Sequence, residues 1–188
     1  SEMCIRDRVI HLISGGDSGG AKTHVLSLLQ HLNQTITAQL VCFRDGPFAE
    51  EARQMGIPTM ICGGNNVFRT RRKLAAYIRE GGYEIIHCHG SRANMIGAML
   101  RKVTGLPVVT TVHSDYRLDY MGRPFARLTF GAINAWALRH LDYRIGVSDA
   151  MVDLLIDRGF PPDRFYAIYN GIDFTPAPNQ GDRLEYLR

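Results

Sequence analysis

Seven short apolar runs, most of them rich in β-branched residues, recur along the chain, and a helix-like segment separates each from the next. The runs are "VIHLIS" (9–14), "QLVCF" (39–43), "IPTMICG" (57–63), "YEIIHCHG" (83–90), "PVVTTVH" (107–113), "YRIGVS" (143–148) and "FYAIYNG" (165–171). After the first run, Val25, Leu28, Leu29 and Leu32 fall at i, i+3, i+4 and i+7, one face of a helix. Further helices are expected over 48–55, 71–81, 94–104, 124–140 and 149–158, and Pro124 suits the first turn of its helix. Strands alternating with helices of about ten residues imply right-handed βαβ units. The expected class is therefore α/β, a parallel sheet with helices on both faces.

The length of 188 residues suits one domain. A hydrophobic content of 45% and a charged content of 21% are ordinary for a soluble globular chain. Charged residues interrupt every apolar run well before the ~18 residues a membrane helix needs. A net charge of +4 does not argue for nucleic acid, and none is expected as a partner. The one dense basic run, "RTRRK" (69–73), reads as a solvated helix face, with attraction to an anionic membrane surface as the sharper alternative. Cys4, Cys42, Cys62 and Cys88 contain no C-x-x-C pair, and three of them fall in expected strands. That usage suits buried thiols in the cytoplasm. Residues 1–8 resemble nothing that follows and are read as a non-native leader. The expected domain is 9–175, with 176–188 a linker and the start of another domain.

In open α/β sheets, ligands bind outside the carboxyl ends of the strands, and the unusual residues of this chain fall there. Gly15, Gly16, Gly19 and Gly20 follow the first strand. His87 and His89 end the fourth; His113, Ser114 and Asp115 follow the fifth. Four glycines in six residues before a helix present free backbone N–H groups to an anion. From Gly16 the loop reads G-D-S-G-G-A-K-T, one residue from the triphosphate loop G-x-x-x-x-G-K-[ST], with Ala21 in place of the second glycine. No strand ends in an Asp placed to hold magnesium, so Lys22 reads as an exposed residue of the first helical turn. His87, His89 and His113 offer three imidazoles to a metal. No Asp, Glu or Cys stands at a matching spacing, and no metal is expected. A cleft histidine such as His113 suits hydrogen bonding to hydroxyl-rich ligands or a charge-stabilising role.

Three segments carry a family resemblance: "SGGDSGGAKTHVLSLLQHL", "YEIIHCHGSRANMIGAMLRKVTGLPVVTTVHSD" and "GVSDAMVDLLIDRGFPPDRFYAIYNGID". In order and spacing they resemble the N-terminal half of glycosyltransferase family 4, over about 9–175. The resemblance implies half of a GT-B fold, two Rossmann-like domains facing a cleft. It implies transfer of a sugar from a nucleotide-sugar to a carbohydrate or lipid-linked acceptor, with retention, without metal or other cofactor. Gly16, Gly19 and Gly20 match the loop that approaches the donor diphosphate, Gly15 preceding them, and His113 matches the cleft histidine near the transferred sugar, the expected catalytic contact. His89, Ser114 and Asp115 lie where acceptor contacts are expected; Asn170, Gly171 and Asp173 match the segment leading to the second domain.

The family's C-terminal half carries the main donor pocket, so this chain alone is expected to be inactive. Its expected location is the cytoplasm or the inner face of the membrane, where the aromatic and basic stretch 115–130 is a second candidate contact. Two other readings stand beside this one. One is a stand-alone sugar- or nucleotide-binding domain without turnover; the other is a nucleotidase with a substituted triphosphate loop.

Overall fold

All seven apolar runs become strands, each paired in parallel with its neighbours. The structure, a computed structural model, describes residues 7–16, 20–64, 66–115, 124–169 and 171, the side chains of 124–130 excepted. The strands are β1 (Arg8–Ile13), β2 (Thr37–Cys42), β3 (Thr59–Ile61), β4 (Ile85–His89), β5 (Val108–Val112), β6 (Tyr143–Gly146) and β7 (Phe165–Ala167). Between them run α1 (Gly20–Leu32), α2 (Pro47–Gln54), α3 (Val67–Glu80), α4 (Ser91–Thr104), α5 (Pro124–His140) and α6 (Asp149–Asp157).

The sheet order is β3-β2-β1-β4-β5-β6-β7. The chain steps outward from β1 to β3, then returns through α3 to lay β4 on the other side of β1. Right-handed crossovers therefore place α1 and α2 on one face and α3 to α6 on the other. The core divides the same way. Val25, Leu29, Phe48 and Ala52 pack with Ile13, Leu40 and Cys42 on the first face. On the second, Leu74, Ile78, Ile96 and Leu100 pack with Ile10, Leu12, Ile86 and Val108. Each fully buried Leu or Ile contributes about 1.5–3 kcal/mol by leaving water.

Gly97 sets how closely α4 approaches the sheet. A Cβ there would strike Cys88 Sγ and stand 3.1 Å from Val108 Cγ1. The two helices of the first face do not reach its far end. Ile85, Tyr143, Tyr166 and Ile168, which share that face by register, are 37–53% exposed.

Several boundaries differ from the sequence reading. α3 begins at Val67, not 71, because the Asn66 side chain accepts a hydrogen bond from the Arg69 N–H at 3.0 Å and caps the helix there. α4 begins at Ser91, not 94, directly after Gly90 at φ 85°. β1 includes Arg8, in register with Thr37, so the sheet starts inside the stretch read as a leader. Cys62 lies one residue past β3, and Cys42, Cys62 and Cys88 are buried cysteines. Burial raises the pKa of Cys62 and Cys88, which keeps them as thiols. Cys4 lies outside the described residues.

Candidate functional site

Strand order reverses between β1 and β4, and a parallel sheet opens a crevice at the carboxyl ends on either side of that point. A cavity of about 270 Å³ lies there. β1 and α1 contribute Ile13, Ala21 and Val25; the end of β4 and the start of α4 contribute His89, Gly90, Ser91 and Asn94. Thr111, Val112, His113 and Ser114 come from β5 and the residues after it, and Asn134 and Leu138 from α5.

Parallel register brings the histidines together. His11 pairs with His87, Ile13 with His89, and His89 with Thr111, so these side chains share the face that α1 covers. His11 Nδ1 and His89 Nε2 stand 3.1 Å apart, and His87 Nε2 is 2.8 Å from Thr111 Oγ1. His89 Nδ1 faces His113 Nε2 at 3.5 Å, and the His24 ring meets His113 edge-on at 5.0 Å between centroids. Across the cavity a buried polar network fixes Asn94. Its Nδ2 donates to Asn134 Oδ1 at 3.0 Å, and its Oδ1 accepts from Thr110 Oγ1 at 2.6 Å, joining α4, α5 and β5.

Burial first, and the positive charge of His24 second, pull His113 down to about 4. Burial likewise takes His87 to about 3 and holds His11 and His89 well below the usual imidazole range. All four are neutral at pH 7. Among the described residues the cavity lining holds no Lys, Arg, Asp or Glu. Its chemistry is that of neutral imidazoles, hydroxyls, amides and the backbone N–H groups at the starts of α1 and α4. As a neutral ring at pH 7, His113 offers a hydrogen-bond donor and an acceptor and carries no positive charge of its own.

The cavity brings together His89, His113 and Ser114, which the sequence reading named. It leaves Asp115 outside the lining: both carboxylate oxygens accept from the Arg158 guanidinium, tying the segment after β5 to the end of α6. Gly15 has φ 84°, and a Cβ there would stand 2.5 Å from the Arg44 carbonyl oxygen and 3.1 Å from Cys42 Cβ. Close packing against the end of β2 is therefore one reason for that glycine. A Cβ at Gly16 would first meet the guanidinium end of the Arg44 side chain; at Gly20, the first residue of α1, it would meet open space. Lys22 forms an ion pair with Glu51 of α2. Gly171 is exposed, while Gly19, Asn170 and Asp173 lie outside the described residues.

Sequence reasoning missed His11, His24, Asn94 and Asn134. Strand period places His11 on the same side as Ile13, yet only the sheet order, which sets β4 beside β1, brings it to His87.

The Glycosyltransferase Family 4 profile matches residues 18–175. A UDP-Gal:alpha-D-GlcNAc-diphosphoundecaprenol alpha-1,3-galactosyltransferase of Escherichia coli is 25% identical over 82% of this chain and 43% of its own length. An alpha-maltose-1-phosphate synthase of Mycolicibacterium smegmatis is 26% identical over 86% of this chain and 44% of its own. The chain thus spans under half the length of these curated relatives. Among solved structures, HepE of Anabaena in complex with UDP-glucose superposes with a TM-score of 0.74 at 20% identity, over 88% of this chain and 44% of that one. The sheet and its helices are the Rossmann-like N-terminal half of a GT-B fold. No helix among the described residues is long and apolar enough to cross a membrane. The chain belongs to glycosyltransferase family 4.

Proposed function

We propose that the chain is the acceptor-binding half of a retaining glycosyltransferase that moves a sugar from a nucleotide-sugar to a carbohydrate or lipid-linked acceptor. The observation that carries this reading is the cavity at the switch point, which is polar and, among the described residues, has no ionic group in its lining. Sugar hydroxyls both donate and accept hydrogen bonds, as neutral imidazoles, Ser, Thr and Asn do. Sugar transfer also needs fixed charges or dipoles where a diphosphate departs and oxocarbenium-like charge develops. In this reading a second, donor-binding domain supplies most of them, and Asn170, Gly171 and Asp173 belong to the segment leading to it. His113 contacts the sugar being transferred, while backbone N–H groups of the Gly15–Gly20 loop approach the diphosphate. No metal takes part in the transfer step. The E. coli relative's name specifies a diphosphoundecaprenol-linked substrate, which favours a lipid-linked acceptor here.

Saturation-transfer NMR with short oligosaccharides tests the acceptor site. Binding to the chain should weaken about tenfold in His113→Ala, the cost of one lost hydrogen bond of ~1.4 kcal/mol. Unchanged binding in that variant would contradict the assignment.

A cytoplasmic location fits the buried thiols of Cys62 and Cys88. Contact with anionic lipid at the inner face of the membrane is assigned to α3, where Arg69, Arg72 and Lys73 are exposed beside Phe68, itself 66% exposed. The other candidate, 115–130, lies mostly outside the described residues. Exchanging Arg71, Arg72 and Lys73 for Glu should abolish sedimentation with phosphatidylglycerol vesicles. A wild-type chain that stays in the supernatant rules the contact out.

A further inference from the structure

We infer that His11, His87 and His89 form a binding site for one divalent transition-metal ion of the zinc class, held between β1 and β4 beneath the cavity. The assignment starts from register. His11 and His87 are direct partners on adjacent strands, and His89 follows two residues later on the same face. One ring nitrogen from each residue lies within 4.8 Å of the other two. A tetrahedral zinc with Zn–N bonds of about 2.0–2.1 Å spaces its ligand nitrogens roughly 3.3–3.4 Å apart. His11 Nδ1 and His89 Nε2, at 3.1 Å, already stand near that spacing.

The surroundings fit a metal better than they fit a plain core. His11 and His89 are buried and His87 nearly so, in a layer otherwise built from Ile13, Val25 and Leu29. His11 Nε2 is buried and has no partner, and ligation through Nδ1 leaves it so.

Metal-bound histidines are oriented by a partner on their other nitrogen. Here the Thr111 hydroxyl engages His87 Nε2, leaving Nδ1 to ligate, and His113 faces His89 Nδ1, leaving Nε2. Three imidazoles without thiolate or carboxylate select zinc, copper or nickel over magnesium or calcium. The expectation of no metal rested on the lack of an Asp, Glu or Cys at a matching spacing and took His113 as the third ring; His11 makes a tighter set of three imidazoles. The ion would staple β1 to β4 at the switch point and hold His89 where it meets His113. It takes no part in the transfer proposed above, and the two readings fail separately.

The test is calorimetric titration of the metal-free chain with ZnCl₂, paired with the visible absorption of its Co²⁺ complex. One ion per chain should bind with micromolar or tighter affinity, and Co²⁺ should give tetrahedral bands without a thiolate charge-transfer band. His11→Leu should weaken binding about a hundredfold, while the His31→Ala/His140→Ala double variant, which changes two rings outside the cluster, should bind as the wild type does. Should His11→Leu fail to fold, Thr111→Val replaces it, with an expected loss of about ten- to a hundredfold through the lost partner of His87. A folded wild-type chain that takes up no zinc overturns the inference. So does affinity unchanged in both cluster variants, a thiolate band, or binding that disappears with His31 and His140.

Discussion

Histidine 113 owes its chemistry to burial, and the same holds for the three rings behind it. Unfolded histidine titrates near 6.5, whereas folded His113 titrates near 4 and His87 near 3. Between these values the unfolded chain binds more protons than the folded one, so stability rises with pH across that window. It is complete above about pH 6.5 and is lost as pH falls toward the folded values. Each buried ring costs about 1.4 kcal/mol per pH unit once its unfolded form is charged. In metal-free buffer the urea midpoint should therefore fall steeply from pH 6.5 to pH 5; a flat profile would contradict the buried cluster. Other residues serve packing where the sequence suggested chemistry. The glycine loop reads as ligand-facing, yet Gly15 also answers to the Arg44 carbonyl beside it. That contact joins residues 29 positions apart, and no local pattern announces it. Lys22 lies in the first turn of α1 as the sequence suggests, partly exposed and paired with Glu51 of α2.

Element positions were legible because hydrophobic period changes cleanly between strands and helices. Exact ends were less so. Asn66 is an ordinary N-cap residue in "GGNNVF", yet the basic run after it drew the expected start of α3 four residues too late. What no element announces is its neighbour. His11 and His87 look unrelated until β4 is known to return beside β1. α4 carries a prediction at this scale. Gly97→Val should destabilise the chain by about 2–3 kcal/mol, because the added methyls press on Cys88 and Val108, both fixed in the sheet. Urea unfolding measures it, and an unchanged midpoint would mean that α4 sits farther from β4 than described.

At the scale of the whole molecule, alternation alone implied a parallel α/β sheet, since right-handed crossovers leave few alternatives. The site was legible in part. His89, His113 and Ser114 were visible as polar residues at strand ends, a positional signal that needs no contacts. Asn94 and Asn134 were not, because they reach the cavity from helices on the opposite face. The resulting cavity has hydrogen-bonding groups for a sugar and, among the described residues, no charged side chain to assist a departing diphosphate. The most direct test of that division is nucleoside diphosphate release from UDP-glucose, UDP-galactose and GDP-mannose by this chain alone, with oligosaccharide acceptors present. The account predicts no release above the buffer rate. Steady release from any of the three donors would show a complete transfer site within these residues, and would contradict the assignment of an acceptor-binding half.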